Sequence, residues 1–216
     1  MKPRIRLATE ADVPLIAWVQ QEAARSHLPI GFWDLAFPGE DEQRLRIIAR
    51  IARARPRSFC HWSGFLVAEV DGVPAAALSG YEEPSIAAGT ALEEALQQAL
   101  DEERWSVDQR AAMGARIVPF LTCIPETPED AWVVEWVATR PEHRGKGVIK
   151  TLLEEVIARG RARGHSTVQI GVLIGNTPAQ RAYEGAGFRV VDEKRHPDFE
   201  AALGSPGIRR LLLQGR

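Results

Sequence analysis

Hydrophobic residues along this chain repeat with period two in some stretches and with helical period in others, and the switches between the two outline a fold. Ile5 and Leu7 alternate with arginines and predict a first strand. Thr9 and Asp12 then offer helix N-caps, Pro14 is tolerable only in a first turn, and Leu15, Ile16, Trp18 and Val19 continue as an apolar stripe. Leu45, Ile47, Ile48, Ile51 and Ala52 mark a second helix that ends before Pro56. Phe65 to Val70, then Asp71-Gly72, then Val73 to Leu78 reads as a hairpin. Residues 131–139 are rich in β-branched and aromatic side chains and predict a strand; Val148, Leu152, Leu153, Val156 and Ile157 then recur at helical spacing until Gly164. Strand 167–174, helix 177–186, strand 188–191 and a last apolar strand from Ile208 to Leu213 complete the series.

Two stretches interrupt it. Residues 28–39 carry Pro29, Gly31, Pro38 and Gly39 among Phe32, Trp33 and Phe37, and read as an aromatic-rich loop. Residues from about 88 to 115 repeat Leu92, Ala95, Leu96, Ala99 and Leu100 at helical spacing amid acidic residues, and read as a helical insertion. Ile117 to Ile124 is taken as a further strand before the breaker run Pro125-Glu126-Thr127-Pro128. The order β-α-α-β-β, insertion, β-α-β-α-β-β predicts an α/β (α+β sandwich) class, with a mixed sheet and helices on both faces.

At 216 residues and 45% hydrophobic, the chain is long enough to bury a core as one domain over 1–216. A formal net charge of −2 gives no overall pull toward nucleic acid or an anionic membrane, so neither is expected as a partner. Cys60 and Cys123 stand far apart, which suits a reducing cytoplasm, and the five histidines show no metal-ligand spacing. No apolar run approaches the ~18 residues of a membrane span, and the start Met1-Lys2-Pro3-Arg4-Ile5-Arg6 has no signal-peptide core. The expectation is a cytoplasmic domain without a metal.

The most informative chemistry lies between strand 131–139 and the helix after it, where Arg144-Gly145-Lys146-Gly147-Val148-Ile149 supplies two glycines beside Arg140, Arg144 and Lys146. Glycines let backbone N–H groups approach a ligand, and a helix start adds unpaired donors and a positive dipole end, together a site for phosphate or pyrophosphate. A P-loop is excluded because its two glycines are separated by four residues. The dinucleotide fingerprint fits poorly, because Lys150 stands where its third glycine belongs.

Arg-x-x-Gly-x-(Gly or Ala) after a strand resembles the acyl-CoA pyrophosphate loop of the GCN5-related N-acetyltransferase (GNAT) superfamily, and residues 137–144 look like its usual approach to that loop. Residues 175–188 are similar to the family's second motif, with Asn176, Tyr183 seven residues later, and Gly187-Phe188. The resemblance is close over roughly residues 131–195. Ile149 departs from it by standing at the final Gly or Ala position. The resemblance implies a GNAT-like fold in which two central parallel strands splay apart around acetyl-CoA, the acyl-donor cosubstrate. It implies cofactor contacts from Val137, Ala138, Thr139, Arg144, Gly145, Lys146, Gly147, Val148, Ile149, Asn176, Ala179 and Tyr183. Asn176 equally suits a helix cap, with Pro178 in the first turn.

Acyl transfer from a thioester to an amine needs a neutral amine, a stabilised oxyanion and a proton for the leaving thiolate. Asn176, Ala179, Gln180 and Tyr183 share a helical face, and the Tyr183 phenol is the candidate proton donor. Glu135, in phase with Val133, Val137 and Thr139 on a mostly apolar strand face, is the candidate base; pairing with an arginine is the plainer use of it. A backbone N–H near Val137 is the oxyanion donor that the resemblance implies.

For the acceptor, Phe32, Trp33, Trp62, Trp105, Trp132 and Trp136 are candidate pocket walls or simply core, and Glu82, Glu83 and the acidic insertion would attract a cation. The acceptor is expected to be a small-molecule or peptide amine. The insertion suits either a lid over the acceptor or the surface of a homodimer. The reading from a different class is a non-catalytic acyl-CoA-binding regulatory domain, which Ile149 favours and Tyr183 and Glu135 oppose.

Overall fold

The structure is a computed structural model that describes residues 3–55, 57–82 and 86–215, with 86–89 by backbone alone. Strand β1 (Arg4–Leu7) leads into helices α1 (Val13–Arg25), α2 (Phe32–Ala36) and α3 (Asp41–Arg53), then hairpin β2 (Phe65–Val70) and β3 (Val73–Glu82). Helices α4 (Ile86–Glu102) and α5 (Val107–Leu121) follow, then β4 (Ala131–Thr139), α6 (Val148–Ala162), β5 (Thr167–Leu173) and α7 (Thr177–Gly185). Strand β6 (Arg189–Arg195), α8 (Pro197–Leu203) and β7 (Gly207–Gln214) complete the described chain. Seven described strands form one sheet in the order β1-β2-β3-β4-β5-β7-β6, and only the β4–β5 pair is parallel.

Alternation decides which helix covers which face. Trp132, Val134, Val168, Ile170, Val172 and Leu211 turn to one side, where α6 supplies Leu152, Leu153 and Val156 and α7 supplies Tyr183. Phe65, Val67 and Ala77 turn to the other, under Val13, Ile16 and Val19 of α1. Helices α2 to α5 extend that second layer around Trp33, Phe37, Ile47, Ile48, Leu100 and Met113. The hairpin turns as its dipeptide demands, with Asp71 and Gly72 both at positive φ.

Three expectations are corrected. Residues 117–121 belong to α5 and are not a strand: Met113, Ile117 and Phe120 face the cores at helical spacing, while Val118 and Leu121 are exposed. A capping box of Ser106 and Gln109 starts that helix, and Pro119 falls in its last turn, so the insertion is a helical pair over 86–121. The stretch 28–39 contains α2, whose Asp34 carboxylate takes the Gly31 N–H at 2.9 Å. The same carboxylate joins Arg25 at 2.7 Å and Arg44 at 3.2 Å, which ties the ends of α1 and α3 to this turn. Helix α8 is absent from the sequence pattern; His196 caps it and Phe199 and Leu203 seat it on Ile208.

Arginines lash the insertion to the rest. Arg116 of α5 donates to the carbonyls of Leu35 (2.8 Å) and Ala36 (3.2 Å), and Arg46 and Arg50 of α3 both reach Glu103 beyond α4.

Two consequences can be measured. Gly160 of α6 lies on the Trp132 ring, and a Cβ there would come within 2.6 Å of the indole. Gly160→Ala should therefore destabilise by about 1–3 kcal/mol, seen as a Tm fall of roughly 2–10 °C. His61 sits buried beside Ser63, and burial, aided by Arg57, lowers its pKa to about 4. The unfolded chain then binds a proton below its ordinary pKa of 6.5 that the folded chain refuses until about 4. Stability should fall by on the order of 1–3 kcal/mol as pH drops through that window, and denaturant titration of a His61→Asn variant should show a flatter profile.

Candidate functional site

The sheet opens where β4 and β5 part. Their pairing runs from Ala131↔Thr167 to Val134↔Ile170 and stops, while β4 stays paired to β3 as far as Thr139 and β5 to β7 as far as Leu173. Beyond Val134 the two strands keep their outer partners and lose each other, leaving a cleft in the middle of the sheet.

A bulge shapes its β4 wall. Trp136 has φ of +54°, a conformation that costs a bulky side chain about 1–3 kcal/mol, and the β3–β4 register slips between Ala77↔Ala138 and Ser79↔Glu135. Glu135 and Trp136 therefore both turn toward the α1 face, and Val137 packs on the α6 face beside Val148. This corrects the expected strand phase: Glu135 stays with Val133, whereas Val137 and Thr139 stand on the opposite side. The bulge is locked by stacked rings, with Trp136 against Trp33 (5.7 Å) and Phe59 (6.3 Å), and Phe59 against Tyr81 (5.2 Å). Of the candidate wall, Trp33, Phe32, Trp136 and, through Phe37, Trp105 come together. Trp132 lies on the α6 face and the Trp62 ring lies tilted against His61. Glu83 lies outside the described residues.

The glycine loop closes one end of the cleft. Gly145 and Gly147 have φ of +73° and +75°, and a Cβ at either would meet nothing within 4 Å, so the backbone angle alone calls for glycine. The first backbone bond of the helix is Thr151 N–H to the Gly147 carbonyl at 3.4 Å. The six preceding N–H groups, from Gly145 to Lys150, have no partner among the described residues. Val148 is buried and the Ile149 side chain packs against the core, so the departure at 149 turns inward and leaves its N–H open. Arg144 donates from Nε to the Thr139 carbonyl at 3.1 Å and faces Glu22 at 3.9 Å; Lys146 is exposed and makes no ion pair among the described residues. Arg140 is not part of this cluster, because its guanidinium lies over the Trp18 ring of α1.

The β5 wall ends in α7. Asn176 caps that helix by accepting the Ala179 N–H at 3.2 Å, and its amide donates to Ser26 Oγ at 2.6 Å. Ser26 follows α1 with φ of +61°, so this bond joins the two sides of the cleft, a contact that no local motif announces. Ala179 and Tyr183 face the α6 core, and Gln180 turns aside to Glu184 and Arg209. Burial pushes the Tyr183 phenol above its ordinary pKa of 10, and its hydroxyl makes no hydrogen bond among the described residues. Tyr183 and Glu135 thus stand on opposite faces of the sheet with the cleft between them.

No cluster of three or more metal-ligating side chains occurs among the described residues, and no described helix is long and apolar enough to cross a membrane. Cys60 and Cys123 are buried free thiols.

Comparisons with known proteins bear on the fold and the family. The model of the acetyltransferase (GNAT) family matches residues 32–188. The chain is similar to a crystal structure of an acetyltransferase (TM-score 0.70, 21% identity, 99% of this chain and 100% of that one). It is also similar to an N-acetyltransferase from Staphylococcus aureus Mu50 (TM-score 0.64, 18% identity, 97% and 100%). A third similar structure is yncA from Salmonella typhimurium with its cofactor acetyl-CoA (TM-score 0.53, 17% identity, 99% and 94%). No curated protein sequence matches the chain. The family model spans more than half of the chain, which thus belongs to the acetyltransferase (GNAT) family.

Proposed function

We propose that this protein is an N-acetyltransferase that moves an acetyl group from acetyl-CoA directly to a primary amine while both are bound. The observation that carries the reading is the row of unpartnered N–H groups from Gly145 to Lys150 at the end of the open cleft. Such a row suits a pyrophosphate, with Arg144 and Lys146 adding charge. Asn176, Ala179 and the β4 segment Val137, Ala138 and Thr139 line the path from that loop into the cleft. Bound acetyl-CoA would supply an activated thioester.

Glu135 takes the proton of the amine, directly or through water, on the α1 face. The amine nitrogen bonds to the carbonyl carbon, and a backbone N–H near Val137 takes the oxyanion. As the C–S bond breaks, Tyr183 gives its proton to the leaving thiolate on the α6 face and regains one from solvent. The regulatory alternative rested on Ile149 obstructing the loop, and it loses that support because the side chain packs inward. The buried free thiols suit a reducing cytoplasm.

Calorimetric titration with acetyl-CoA, CoA and 3′-dephospho-CoA should show saturable binding, and Gly147→Ala should weaken acetyl-CoA about tenfold by strain at positive φ. Absence of binding at about 1 mM would remove the reading. Tyr183→Phe should lower kcat about a hundredfold and leave acetyl-CoA affinity little changed. Because the phenol pKa is raised, the wild type should show no loss of rate from phenol ionisation below pH ~10. An unchanged kcat in the variant would take the proton-donor role from Tyr183.

A further inference from the structure

The α1 face of the cleft carries a polar group that the reaction above does not use. Gln169 of β5 stands opposite Val133 in the parallel register, two residues short of Glu135 on the neighbouring strand, and between Val133 and Leu212 in the row across the sheet. Val168 and Ile170 face α6, so Gln169 points the other way, toward the side that holds Glu135 and Trp136. It is 5% exposed. Its Nε2 donates to Thr127 Oγ1 at 2.7 Å, which fixes the carboxamide, and its Oε1 is buried without a partner. A buried carbonyl oxygen left unpaired costs about 1–3 kcal/mol. A bound N–H donor would remove that cost.

The surroundings specify the donor. Gly171, the next residue of β5 on this face, is exposed although its strand lies inside the sheet, so the surface opens two residues beyond Gln169. Tyr81, Phe59 and Trp136 form a stacked row of partly exposed residues, and Trp136 adjoins Glu135 in β4. Arg210, opposite Gly171 in register, is spent on Asp192 and on the Glu126 carbonyl at 2.8 Å. Arg116 is spent on Leu35 and Ala36. The unspent atom here is an acceptor, and these two cations are engaged.

Resting on the acetyltransferase reading, we propose that Gln169 Oε1 holds the nitrogen of the acyl-accepting substrate beside Glu135, and that this substrate is a primary amine on an apolar body without a carboxylate next to the nitrogen. Gln169 is thus a specificity-determining residue. One N–H points to the carboxamide, another to the Glu135 side, and the apolar body lies along the aromatic rings.

The test uses the full chain, with 2-phenylethylamine and phenylalanine as acceptors and CoA release as readout at saturating acetyl-CoA. Phenylethylamine should be acetylated with kcat/KM at least about tenfold above that of phenylalanine. Gln169→Met, which keeps length and removes the acceptor, should raise KM for phenylethylamine about tenfold, with most of the loss in KM and acetyl-CoA affinity within about twofold. Gln169→Glu, which restores an acceptor oxygen, should recover a KM within about threefold of wild type. Unchanged KM in Gln169→Met overturns the proposal, as does preference for phenylalanine or absence of phenylethylamine turnover by a wild-type protein that binds acetyl-CoA. A wild type that binds no acetyl-CoA would instead overturn the acetyltransferase reading beneath it.

Discussion

A strand inside a sheet ordinarily bonds a neighbour on each side, and β4 gives up one of them after Val134. The outer pairings, β4 with β3 and β5 with β7, continue past that point and hold the strands on diverging courses. Unpaired backbone inside a protein is expensive, so such a gap persists only when the flanking structure is rigid enough to impose it. Here the rigidity comes from the core of Leu152, Val156, Val168 and Leu211 on one side and stacked rings on the other. The loop, the bulge and the cap of α7 are all placed by that divergence.

The insertion takes part in this support and is more than an appendage. Helix α5 grips the carbonyls of α2 through Arg116, and α2 presents Trp33 to Trp136 at the bulge. The strained backbone at Trp136 is thus braced by a chain of contacts that begins outside the sheet. Whatever else α4 and α5 do, their packing reaches Glu135 within a few side chains.

Much of this is legible in the sequence. The hairpin, β4, the loop, α6, β5 and α7 carry strong local signals: Asp71-Gly72, a β-branched run, paired glycines, and apolar residues at helical spacing. What was not legible depends on contacts distant in sequence. Ile117 to Leu121 is apolar throughout, and such a run does not distinguish strand from helix until it is known which residues meet a partner. The five residues of α2 are tied down by Asp34 with Arg25 and Arg44, partners that lie in other helices. The bulge has no signature in the sequence either: a tryptophan at positive φ is the last residue that propensity would put there. That one residue moved Val137 and Thr139 across the sheet and changed the cleft's lining from what strict alternation predicts. The two motifs located the site, and its asymmetry came from the packing.

That asymmetry separates two proton reservoirs. Tyr183 is enclosed by the α6 core and Glu135 lies on the α1 side, so the two groups meet the cleft from opposite faces of the sheet. In the proposed reaction a proton leaves by one face and another enters by the opposite face. The two exchanges take place on different sides of the sheet, and the acyl group passes between them through the cleft.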